Sequence, residues 1–138
     1  MIVRLTEEQI RFLVEKTRNE YPFEACGLLF GRVGQRVAVV KKIVASSNVL
    51  KSSTRFQIDP EEFLGALTKA ENENLDHVGF FHSHPASPEP SMTDIEHMQL
   101  WPDSIWLILS STSHEMAAYY AVNSSFRRIT LEVNDRKQ

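Results

Sequence analysis

Cysteine is almost missing from this chain: of 138 residues, only Cys26 carries a thiol. A lone thiol excludes an intrachain disulfide and a multi-cysteine zinc cluster, which favours a reducing compartment and leaves any metal to histidines and carboxylates. Long apolar runs are missing too. None approaches the ~18 residues that cross a bilayer as a helix, and the opening MIVRLTEEQIRFL lacks the uninterrupted apolar core of a secretory signal. A cytoplasmic protein without membrane contact is expected. Nor is there a basic surplus. Fifteen Lys and Arg stand against 18 Asp and Glu, giving a net charge of −3 and a pI near 5.9. That balance argues against a nucleic-acid partner, whose binders usually carry a basic stripe, and Arg127-Arg128 is too short to reverse it. Repeats, low-complexity tracts and Gly/Ser-rich linkers are absent from the sequence. With 42% hydrophobic and 24% charged residues, one globular domain over residues 1–138 is expected, ending in a short loose tail, NDRKQ, from about residue 134.

Local signals then order the chain. Thr6 and Gln9 form a capping box ahead of Ile10, Leu13, Val14 and Thr17 at helical spacing, which predicts a first amphipathic helix ending near Pro22. CGLLFG and QRVAVVKKIVA read as neighbouring strands joined at Gly31 to Gly34. In QIDPEEFLGALTKAENE, Asp59 as N-cap, Pro60 at the first helical position and acids in the first turn predict a second helix. HVGFFHSH reads as a buried strand, SMTDIEHMQLW as a short helix, and SIWLILSS, EMAAYYAVN and SFRRITLEV as three further strands. Helices mixed among strands in this order fit an α/β or α+β sandwich.

Chemistry concentrates in GFFHSHPASPEPSMTDIEHM, residues 79–98. His82 and His84 stand at i and i+2 on a strand, so both side chains leave the same face. Asp94 follows a turn stiffened by Pro85, Pro88 and Pro90, which lets a carboxylate fold back toward the two imidazoles. Three nitrogen and oxygen ligands with one position open is the arrangement of a catalytic zinc, and this donor set suits zinc better than magnesium or calcium. A second reading of Asp94 stands beside that one, because SMTD is itself a capping box with Ser91 as N-cap. His77, His97 and His114 lack paired spacing and read as surface or packing residues.

HSHP followed by SMTD, with the upstream glutamate of EACGLLFG, resembles the JAMM motif of the MPN (JAB) metalloprotease family, and the similarity extends to RFQIDPEEF before the second helix. The similarity follows the element order from about Leu5 to Val133. It implies a cytidine-deaminase-like mixed sheet flanked by helices and one zinc per chain held by His82, His84 and Asp94. It also implies Glu24 as general acid/base and Ser91 as the hydroxyl that stabilises the oxyanion. Glu24 makes chemical sense there, since metal-assisted hydrolysis needs a base for the attacking water and an acid for the leaving amine, and a non-ligand carboxylate serves as both. The chain departs from the family's usual pattern by one residue fewer between His84 and Asp94, placed in the loop Ala86 to Pro90, with Glu89 and Glu96 as reserve carboxylates.

Three functions follow. The resemblance implies a zinc peptidase or isopeptidase of the compact prokaryotic type, because residues 95–138 leave no room for the long insertions of eukaryotic deubiquitinating relatives. Its substrate would be the C-terminal Gly-Gly tail of a ubiquitin-like sulfur-carrier protein, whose side-chain-free glycines can pass close to a metal. Relatives without the motif serve as non-catalytic interaction modules, and the shortened loop is the one feature favouring that alternative. A cysteine hydrolase using Cys26 is the third, although CGLLFG reads as an apolar strand in which a thiol behaves as a small hydrophobe.

Overall fold

Every helix starts on a side-chain cap that the sequence announces, and the strands between them supply the long-range order. The computed structural model describes residues 1–134, so the expected tail lies outside the described residues from residue 135 onward. In chain order the elements are β1 (Ile2–Thr6), α1 (Glu7–Glu20), β2 (Cys26–Val33), β3 (Val37–Ser46), α2 (Pro60–Asn72), β4 (Asp76–His84), α3 (Met92–Leu100), β5 (Ile105–Ser110), β6 (Met116–Val122) and β7 (Ser125–Asn134). The Thr6–Gln9 capping box opens α1, and Asp59 Oδ1 accepts from the Glu61 and Glu62 amides to open α2 behind Pro60.

The strands lie in the order β1-β3-β2-β4-β5-β6-β7 and close into a barrel. Closure depends on β1, which pairs in parallel with both β3 and β7. Its five residues carry no local signal beyond alternation, and the sequence does not predict this strand. One side of the sheet packs Val3, Leu5, Leu29, Phe81 and Leu107 under α1, through Leu13. The opposite side packs Leu28, Phe30, Phe80, Trp106 and Ile108 beneath α2 and α3, through Ala70 and Met98. A mixed sheet flanked by helices is thus the architecture, and His82 lies deep in it, fully buried at the end of β4. Among the described residues no helix is long and apolar enough to cross a membrane.

The β2–β3 turn falls later than expected. Gly34 N–H donates to Val37 O at 2.9 Å and closes the turn, whereas Gly31 lies inside β2 beside a bulge. A Cβ at Gly31 would stand 1.9 Å from Val39 O, so this glycine serves close strand approach rather than the turn.

Gly79 has the same role on the strand that carries the histidines. A Cβ there would lie 1.8 Å from Ile105 O and 2.7 Å from Ile105 C, both backbone atoms that cannot step aside. Gly79→Ala is expected to destabilise the protein by ~1–3 kcal/mol or more in urea unfolding, as overpacked cores do. Gly65→Ala, with nothing within 4 Å, should instead stabilise by ~0.5–1 kcal/mol through helix propensity. Equal effects of the two would refute the close-approach account.

Candidate active site

The strand β4 delivers two imidazoles and the turn before β2 delivers a carboxylate, and the two segments are tied together where they meet. Cys26 pairs with His82 in the antiparallel ladder. One step further, Ser83 N–H donates to Ala25 O at 3.0 Å and Ala25 N–H donates to Ser83 Oγ at 2.9 Å. Glu24, next along the chain, is therefore held beside the two histidines, and it is only 3% exposed. The long-range contact that the sequence leaves open is supplied by strand pairing.

Asp94 approaches from α3. Ser91 N–H donates to Asp94 Oδ2 at 2.9 Å and Asp94 N–H donates to Ser91 Oγ at 3.1 Å, so the capping box is present. The same Oδ2 lies 3.1 Å from His82 Nε2 and 3.9 Å from His84 Nε2. The two readings of Asp94 are thus compatible: capping aims the carboxylate at the histidines. The shorter loop does not carry Asp94 away. Tyr119 O–H donates to Pro88 O at 2.5 Å, and the His84 ring Nε2 lies 3.0 Å from Glu89 O, which anchors the loop at both places. Glu89 therefore offers its carbonyl rather than its carboxylate, and both Glu89 and Glu96 are exposed.

One donor atom each from His82, His84 and Asp94 lies within 4.8 Å of the others, and all three residues are buried. Among the described residues, four buried side-chain atoms lack a hydrogen-bond partner: Glu24 Oε1, His82 Nδ1, His82 Nε2 and Trp106 Nε1. His82 Nε2 is close to Asp94 but outside hydrogen-bond alignment. Leaving such a group unsatisfied costs ~1–3 kcal/mol, and three of the four orphans fall on Glu24 and His82. Orphaned imidazole nitrogen beside a second imidazole and a carboxylate fits a divalent cation of zinc's preferences.

The electrostatics favour the same arrangement. Burial would lift the Asp94 carboxyl, but the His82 ring and Ser91 outweigh it and hold its pKa at about 2. Burial and the neighbouring His82 lower the pKa of His84, which favours the neutral, ligating imidazole. Glu24 behaves oppositely. Burial pushes its pKa up to about 7, with His82 pulling back and Asp94 adding to the rise, which suits a group that must take and return a proton near neutrality.

Other residues sort themselves by surroundings. Cys26 is buried, its Sγ faces Ser46 O at 3.8 Å, and burial drives its pKa to about 12, which removes the thiolate a cysteine hydrolase needs. His77 packs among Phe30, Phe63 and Phe80, and His97 and His114 stand apart from the cluster. Two groups escape the sequence reading. Phe56 stacks on His82 with centroids 4.5 Å apart and planes at 21°, and Ser83 makes the tie to Ala25 described above. A lone aromatic in the polar stretch KSSTRFQ was the available signal for Phe56; Ser83 offers none beyond its place between the histidines. Beside Phe56 a groove of about 240 Å³ runs between Phe63, Trp101 and Trp106.

Residues 6–128 match the model of the prokaryotic homologs of the JAB domain. A protein of Pyrococcus furiosus named desampylase is 49% identical over 88 residues, covering 63% of this chain and 59% of that protein. The chain thus spans less than two thirds of that relative's length. A desampylase of Haloferax volcanii is 34% identical over 120 residues, covering 86% of this chain and 84% of the relative. A CysO-cysteine peptidase of Mycobacterium bovis is 26% identical over 128 residues, covering 90% and 86%. Among solved structures, the solution structure of a protein from Desulfitobacterium hafniense superposes with a TM-score of 0.88 at 27% identity, covering 100% of this chain and 96% of that one.

The shifted pKa of Glu24 has a signature in stability. Its folded form binds a proton more tightly than the unfolded chain does, so its contribution is complete below about pH 4.5 and is lost as pH rises through about 7. Asp94 acts in the opposite sense at lower pH, with stability present above 3.8 and lost toward about 2. In the chelator-treated protein, chemical denaturation from pH 4.5 to 8 should therefore show wild type losing a few kcal/mol relative to Glu24→Gln, at ~1.4 kcal/mol per pKa unit. The difference between the two proteins isolates Glu24 from His84, whose lowered pKa acts the other way. Parallel pH profiles would show that Glu24 ionises normally.

Proposed function

The chain belongs to the family of prokaryotic JAB-domain homologs, and from that premise we propose that it is a zinc-dependent isopeptidase cleaving after the C-terminal Gly-Gly of a ubiquitin-like sulfur-carrier protein. The observation that carries the reading is the buried convergence of His82, His84 and Asp94 donors within 4.8 Å beside the unpartnered Glu24 Oε1. The names of the relatives, desampylase and CysO-cysteine peptidase, support hydrolysis at the end of a small protein partner. The single buried thiol suits a reducing cytoplasm.

In this mechanism His82, His84 and Asp94 would hold one zinc ion. When bound, zinc supplies a Lewis acid for the scissile carbonyl and lowers the pKa of water to ~7. Glu24 accepts the proton of the attacking water on its carboxylate as the water oxygen bonds to the carbonyl carbon. It then passes that proton to the departing amine nitrogen as the C–N bond breaks. Ser91 Oγ already accepts the Asp94 amide, so its hydroxyl hydrogen is free to donate to the oxyanion. The two side-chain-free glycines that end such a tail let its backbone reach groups as buried as Glu24 and Asp94.

Elemental analysis should find one zinc per chain, with His82→Ala, His84→Ala and Asp94→Ala each losing it, because one of three ligands is gone. Zinc retained in Asp94→Ala, with only the ~1 kcal/mol loss of a helix cap, would assign Asp94 to capping alone. Glu24→Gln should keep zinc and lose ~10²–10⁴ in turnover, and Ser91→Ala should lose ~10²–10³. Chelator-sensitive release from a Gly-Gly-extended carrier, with a Gly→Ala carrier cut far more slowly, tests the substrate. Equal cleavage of both would leave a zinc peptidase without the carrier assignment.

A further inference from the structure

Asn48 is a polar side chain only 6% exposed, and every hydrogen bond its amide can make is made. Nδ2 donates to Glu24 O and to Arg55 O, both at 3.1 Å. Oδ1 accepts from Leu50 N–H and Gln57 N–H, also at 3.1 Å. These partners converge on the site from two directions. Glu24 bears the unpartnered Oε1, and its own N–H donates to Ser52 O at 2.7 Å in the same loop. Arg55 and Gln57 flank Phe56, whose ring stacks on His82.

We propose that Asn48 is the positioning residue of this site, one amide setting the Glu24 carboxylate and the ring that covers His82 together. The claim rests on the reading of Glu24 as the general acid/base. A side chain with two donors and two acceptors is needed, because it must bind two carbonyls on one edge and two N–H groups on the other. Asp has the same shape but places an oxygen against the Glu24 and Arg55 carbonyls. Asn48→Asp therefore keeps the contacts to Leu50 and Gln57 and breaks those to Glu24 and Arg55.

The experiment has a kinetic arm and an exchange arm. With the zinc-loaded protein and a Gly-Gly-extended carrier, Asn48→Asp should lower kcat by ~10–100-fold, the cost of a misplaced reacting group, while KM and zinc content stay at wild-type values. In the chelator-treated protein, amide exchange by NMR should show Glu24 N–H losing at least ~10-fold of its protection in Asn48→Asp while Leu107 in β5 keeps its own. In wild type, the Asn48 side-chain NH₂ protons should themselves exchange slowly, a measurement that needs no variant to fold. Unchanged kcat, a rise in KM alone, or uniform loss of protection across the sheet would overturn the assignment, as would fast-exchanging Asn48 NH₂ protons. A wild type that hydrolyses no carrier would defeat the functional reading, and the exchange arm would then decide whether Asn48 holds Glu24.

Discussion

The ladder between β2 and β4, ended by the reciprocal hydrogen bonds of Ala25 and Ser83, is the constraint on which the rest of the site depends. Glu24 and His84 stand sixty positions apart in the chain, and strand pairing brings them together. Once Cys26 is registered on His82, the two-residue period of a strand puts both imidazoles on one face and leaves Ser83, between them, to bind the turn that carries Glu24. A register slip would turn both histidines to the other face and break that bond at the same time. Glycines 31 and 79 let the flanking strands β3 and β5 come close to the two strands of this ladder.

The third arm of the cluster depends on a local device. A capping box is worth ~1 kcal/mol to a helix, yet here its carboxylate Oδ2 also lies 3.1 Å from His82 Nε2. Helix start and site geometry are consequently one feature. The course of the loop ahead of α3 is fixed by Tyr119 on the Pro88 carbonyl and by His84 on the Glu89 carbonyl. Among the described residues, His82 Nδ1 and Glu24 Oε1 are buried without a hydrogen-bond partner, an arrangement that costs stability unless something else satisfies them.

What the sequence discloses and what it hides divide along range. The capping boxes of Thr6 and Ser91, the Asp59-Pro60 start and the i, i+2 histidines are legible because each is a pattern a few residues long. Strand β1 is not, since its partners β3 and β7 lie far along the chain and closure of the barrel is a non-local event. Gly31 misleads for the same reason: it looks like a turn residue, and its true neighbour is the backbone of Val39 across the sheet. Asn48 carries no local signal, Phe56 lies in RFQIDPEEF without marking what its ring touches, and their places emerge only when Glu24 and His82 are beside them. Asp94 was legible as a cap and as a ligand, and the fold, by pointing one oxygen at both tasks, makes the alternatives compatible.

The central claim, that two histidines of β4 and the capping aspartate of α3 form one zinc centre, is tested most directly by zinc K-edge X-ray absorption on the metal-loaded protein. The account predicts nitrogen and oxygen scatterers at ~2.0–2.2 Å, two of them imidazoles, and a loss of one oxygen in Asp94→Ala. A sulfur scatterer at ~2.3 Å, which would bring Cys26 into the shell, or a spectrum unchanged by Asp94→Ala, would contradict it.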